Sequence, residues 1–264
     1  METIQGKGGG SMRKTKLLDN LFSEWEKAHQ DESEESCKKT INGDRIKKHF
    51  FERDGIISEN DFEKEKTKIL FVMAEANIDK YTKEGWNGKM DYREIYKNYY
   101  NDQTGKDEWK GKMKERLSAL YGYMTSQTHV APHLLANKYA VMDLNKRGGK
   151  AKIGRGAHIV EYVRVYRSFL RKELEIINPD IVVWVGTNIY RLGIPKLLGA
   201  KEDRGNLCFE IEGRSVPIIS IWQTSYYQAR IEPLPPEECG TENRIIRKLC
   251  AKAKIEMGKL IRNS

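Results

Sequence analysis

No Cys-x-x-Cys pair occurs among the four cysteines, Cys37, Cys208, Cys239 and Cys250. Their wide scatter argues against a zinc knuckle, an iron–sulfur cluster or a disulfide framework. His129, His133 and His158 have no ligand spacing and read as structural or surface residues, so no metal or organic cofactor is expected. No apolar run approaches membrane-spanning length and no secretory h-region is present, so the expectation is a soluble, cytoplasmic protein. The first eleven residues, METIQGKGGGS, read as an appended leader outside the fold.

Positive charge, in contrast, is abundant. The 264 residues carry a formal net charge of +9, and 32% of them are charged. Such an excess favours a polyanionic partner, because Lys and Arg gain affinity by displacing counterions from phosphates. The length suits one α/β domain, expected over residues 12–264, with a helical N-terminal extension and an insertion at about 78–137.

The elements follow from periodicity. Leu17, Leu18, Leu21, Phe22 and Trp25 predict an amphipathic helix over 14–28. The stretch FFERDGIIS carries an Asp-Gly turn signal and reads as a short strand pair or an irregular cap. Lys68–Ala74 is a continuous apolar run of the kind a buried parallel strand needs, closed by Glu75-Ala76-Asn77. A second such strand, Lys138–Leu144, ends at Asn145 and leads into a basic, glycine-rich loop, NKRGGKAKIGRG. A helix over 158–177 stops at Asn178-Pro179. Ile181–Val185 is the third strand, closed by Gly186-Thr187. Leu207–Ile211 and Val216–Ile221 are the last strands, and a helix runs from about Glu237 to Arg262. The alternation implies a three-layer α/β/α fold around a central, mostly parallel, four-stranded sheet.

Three of these strand ends together resemble the uracil-DNA glycosylase superfamily. ILFVMAEAN is similar to the strand and Gly-Glu-Ala-Pro motif of its families, with Ala74 in place of the glycine and Asn77 in place of the proline. YAVMDLN resembles the strand that delivers a base-recognising asparagine. ELEIINPDIVVWVGTNIYRLG and SVPIISIWQTSYYQAR resemble the helix–Pro–strand–Gly segment and the final strand with its DNA-penetrating loop. The resemblance spans residues 68–230. Where the family has His-Pro-Ser, this chain has Gln223-Thr224-Ser225, or, shifted by one, Trp222-Gln223-Thr224.

The resemblance implies a monofunctional DNA glycosylase that flips a base out of duplex DNA and hydrolyses its N-glycosidic bond. Such a site needs donors around the base and a held water near the sugar. Glu75 and Asn77 are expected on the water side, Asn145 as the reader of the flipped base, and Gln223 or Thr224 as the donor to the leaving group. Asp143 is the rival to Asn145, because strict alternation puts both on one sheet face. Ala76, Asp79, Tyr81, Trp86 and Asp143 are expected to line the base pocket, although the aromatics from Tyr81 to Trp109 also suit helix packing. The DNA clamp is expected from Lys146, Arg147 and Lys150, from Thr187 beside Gly186, and from Ser225, Tyr226, Tyr227 and Arg230.

The absent histidine and the long insertion point to a modified base, such as glucosylated hydroxymethylcytosine in phage DNA, rather than uracil. Uracil repair and a catalytically inactive DNA-binding protein of the same fold are the alternatives. A nucleoside-hydrolysing enzyme is a third, since such sheets host many chemistries. A monomer is expected.

Overall fold

The computed structural model describes residues 13–41, 50–77, 89–101, 112–149, 156–186, 190–221 and 231–263. Two helices lead the chain, α1 (Lys14–Asp31) and α2 (Glu34–Thr40). Strands β1 (Phe51–Arg53) and β2 (Gly55–Ile56) and the short α3 (Glu59–Lys64) precede β3 (Ile69–Asn77). The region after β3 holds β4 (Lys89–Asp91), α4 (Tyr92–Asn101), α5 (Lys112–Met124) and α6 (Pro132–Leu135). Next come β5 (Ala140–Gly149), α7 (Ala157–Val165), α8 (Arg167–Ile177), β6 (Ile181–Val185) and α9 (Ile194–Leu197). The chain continues through β7 (Lys201–Asp203), β8 (Asn206–Ile211) and β9 (Arg214–Ile221) to α10 (Pro236–Cys239) and α11 (Arg244–Asn263).

The main sheet has seven strands in the order β2-β5-β3-β6-β9-β8-β7. Its central four, β5, β3, β6 and β9, are mutually parallel. The sheet is therefore larger and more mixed than the four strands expected from sequence. Antiparallel strands extend both edges: β2 against β5, and the β8–β7 ribbon beyond β9. The FFERDGIIS strands do not pair with each other. β1 joins β4 in a separate parallel pair, and β2 joins the main sheet.

Alternation along the central strands divides the core in two. Leu70, Val72, Met142, Leu144 and Trp184 face Leu18, Phe22 and Trp25 of α1 together with α7 and α8. Phe71, Met73, Val141, Val183 and Ile219 face Tyr96 of α4, Leu117 and Leu120 of α5, and Ile246 of α11. Both faces are thus covered by helix, and this explains why the central strands are apolar without interruption.

Two helices expected as single units are divided. Tyr166 separates α7 from α8, and Gly240, at φ 66°, separates α10 from α11. A β-carbon at Gly240 would overlap the carbonyl of Thr128, so the turn needs glycine for space as well as for φ. The expected stop at Asn178-Pro179 is present, with Asn178 in the left-handed region at φ 50°. No helix among the described residues is long and apolar enough to cross a membrane.

Candidate functional site

The C-terminal ends of β3 and β5 lie side by side, with Glu75 paired to Asn145. Beyond that pair the register slips: the next partners are Asn77 and Gly149, so β5 carries two more residues than β3 over the same span. This bulge contains Lys146, Arg147 and Gly148, the last at φ 65°, a conformation glycine adopts without strain.

The bulge shapes the surroundings of Glu75. Gly149 lies so close to the Glu75 carboxylate that a β-carbon there would overlap it. Asn145 Nδ2 donates to Glu75 Oε2 at 3.1 Å and to the Thr40 carbonyl at 3.0 Å, while Asn145 Oδ1 accepts from the Arg147 N–H at 3.1 Å. His158 Nε2, in the first turn of α7, stands 3.0 Å from the same Glu75 oxygen. The Glu75 side chain is 1% exposed and that of His158 12%. The carboxylate is therefore held between an amide behind it and an imidazole that reaches the surface.

Asn145 does not occupy the role expected for it. It is fully buried, and its donors and its acceptor oxygen are engaged within the protein, so it orients Glu75 and offers no edge to a base. Asp143 does share its sheet face, as alternation requires, but it is buried among other carboxylates. Ala76 is also buried, packed against Phe50.

Lys146 and Arg147 overturn the expectation of a solvated, phosphate-facing loop: both are completely buried. Lys146 Nζ lies 2.5 and 2.6 Å from the two Asp54 oxygens and 3.2 Å from Glu173 Oε1, with the Phe22 and Trp25 rings beside it. Arg147 bonds Thr40 Oγ1, the Tyr166 hydroxyl and Glu32. The bulge turns these side chains inward, where paired carboxylates make burial of the charge tolerable. Burial alone would lower the Lys146 pKa, but Asp54 and Glu173 raise it above its usual value. Burial pushes the carboxyls of Glu52 and Glu173 well above the carboxylate range and that of Asp143 to about 6. Among the described residues, Glu52, Asp54 and Asp143 form a group that could hold a metal.

Gly186, at φ 118°, gives its N–H to the Ile221 carbonyl at 3.0 Å, so that donor is not offered to a phosphate. Asn77 closes β3, with its side chain outside the description. Asp79, Tyr81, Trp86, Lys150, Thr187, Gln223, Thr224, Ser225, Tyr226, Tyr227 and Arg230 lie outside the described residues.

Sequence reasoning missed His158, whose lack of metal spacing was the wrong test. The usable signal was topological: a histidine opening the helix after a strand lies at the same sheet edge as the strand ends. Nothing local marked Glu52, Asp54 or Glu173, which come together only through the fold. In comparisons with known proteins, no family model matches the chain, and no curated protein matches it significantly.

Proposed function

We propose that this protein is a monofunctional DNA glycosylase that hydrolyses the N-glycosidic bond of a flipped-out base. The observation that carries the reading is the buried Glu75 carboxylate, fixed by Asn145 and hydrogen-bonded to His158 at the C-terminal ends of two parallel strands. Open α/β sheets bind their ligands along that edge. In the reaction the C1′–N bond breaks with its electron pair going to the base, and a water oxygen bonds C1′. The carboxylate–imidazole pair takes the water proton. With its own proton on Nε2, His158 donates to Glu75 and keeps Nδ1 as an acceptor.

The burial of Asn145 leaves base recognition to other groups, and Gln223 and Thr224 are the sequence candidates. Their lack of a histidine supports a modified base, such as a glucosylated hydroxymethylcytosine, over uracil. With Lys146 and Arg147 engaged inside, DNA contact falls to Lys150, Lys152, Arg155 and Arg230, basic residues of the two loop sequences.

The test is mass spectrometry of bases released from DNAs containing uracil, cytosine, hydroxymethylcytosine and its glucosylated forms. The expected outcome is release from the glucosylated DNA, reduced at least about 100-fold in Glu75→Gln with DNA affinity retained. Efficient uracil release would overturn the substrate assignment. Binding to DNA with no base released from any of these substrates would overturn the enzymatic one.

A further inference from the structure

Beneath Asn145, and separate from the Glu75–His158 pair, four carboxylates meet in the interior. Glu52 comes from β1, Asp54 from the β1–β2 link, Asp143 from β5 and Glu173 from α8, and none is more than 1% exposed. Among the described residues, Lys146 is the cation that bonds Asp54 and Glu173. If all four acids are ionised the cluster holds a charge of −3 without access to water, and such buried charge is protonated, paired or bound to metal.

A second observation identifies where the missing charge belongs. Lys146 occupies only one side of the cluster. On the other side Glu52 aims a fully buried carboxylate in; no N–H or hydroxyl donates to either of its oxygens, and the side chain it stands against is the Asp143 carboxyl. Asp143 Oδ1 likewise receives no N–H or hydroxyl donor. One oxygen each from Glu52, Asp54 and Asp143 lies within 4.8 Å of the others. In octahedral coordination at about 2.1 Å, ligands of one ion stand about 3.0 Å apart when adjacent and about 4.2 Å when opposite, so drawing these oxygens together would bring them onto one ion. An all-oxygen, anionic donor set selects a hard cation.

We propose that Glu52, Asp54 and Asp143 bind one structural divalent cation of the Mg2+ or Mn2+ class. The ion ties β1 and the β1–β2 link to β5 two residues before Asn145, and brings two positive charges to the carboxylates. It sets the position of the strand that carries Asn145 and takes no part in bond cleavage. This assignment is independent of the glycosylase reading.

The probe is Mn2+. The full-length protein is stripped with a chelator and titrated with MnCl2, with free Mn2+ followed by electron paramagnetic resonance and unfolding followed by thermal melt. The expected result is loss of the free-ion signal up to one equivalent, with a higher melting temperature. Mn2+ binding should weaken at least about 10-fold in Glu52→Gln. If that variant does not fold, Asp143→Asn provides the same comparison, and the response of the wild-type melt to chelator and Mn2+ decides alone. An undiminished free-ion signal with folded wild-type protein would overturn the proposal. So would equal binding by wild type and a folded variant. A Glu52→Gln variant that is more stable than wild type, with no metal bound by either, would show that protons neutralise the cluster instead.

Discussion

Replacing Lys146 with methionine tests the inward turn of the β5 bulge most directly. The methionine retains apolar bulk against the Phe22 and Trp25 rings but removes the ammonium that bonds Asp54 and Glu173. The carboxylates stay buried without their counter-charge. Breaking a fully buried pair by removing one partner costs about 3–5 kcal/mol, whereas an exposed pair is worth about 1 kcal/mol or less. At about 2–4 °C per kcal/mol for a chain of this size, the melting temperature should fall by roughly 6–20 °C. Urea unfolding followed by tryptophan fluorescence measures the change, since Trp25 packs 5.4 Å from the ammonium. Adding Asp54→Asn should restore part of the loss, because removing both partners is milder than orphaning one. A stability change below about 1 kcal/mol, accompanied by weaker and less salt-dependent DNA binding, would refute the burial and return Lys146 to a phosphate-facing loop.

Gly149→Ala should reduce base release while the chain stays folded, because the added methyl displaces the Glu75 carboxylate. A single-turnover assay beside circular dichroism separates the two effects. His29 gives a pH signature. Burial, reinforced by the charge of Arg147, holds its pKa well below 6.5, so the folded state binds this proton less readily than the unfolded chain. Its contribution to stability is complete above the unfolded pKa of about 6.5 and is lost as pH falls below it, at up to about 1.4 kcal/mol per pH unit. His29→Gln, which can still bond the Tyr162 hydroxyl, should flatten that slope in urea titrations from about pH 7 to pH 5, and an unchanged slope would assign it to other groups.

The parts of the fold legible in the sequence are those whose burial is purely apolar. Ile69–Ala74 and Ile181–Val185 announce themselves because strands covered by helices on both faces need no polar residue. β5 does not end where its apolar run ends. Asn145, Lys146 and Arg147 resemble a solvated loop by type, and the groups that make them tolerable inside are remote: Asp54 is 92 residues away from Lys146, and Glu32 is 115 from Arg147. The site divides the same way. Glu75 was visible at the end of an apolar strand, but His158 joins it from 83 residues away. β7 was invisible because its three residues, Lys201, Glu202 and Asp203, are charged and exposed, with no apolar face for a pattern to reveal.

That charged strand also bears on edge-to-edge association. A sheet with an open flank is a template for another chain, and this one ends in three exposed charges on one side and in two residues beginning with Gly55 on the other. Neither flank offers a long, flat, apolar ladder on which a fibril could grow. A substitution such as Glu202→Val would remove one of those charges while leaving the interior untouched, and the expected outcome is stronger concentration-dependent association, read by light scattering.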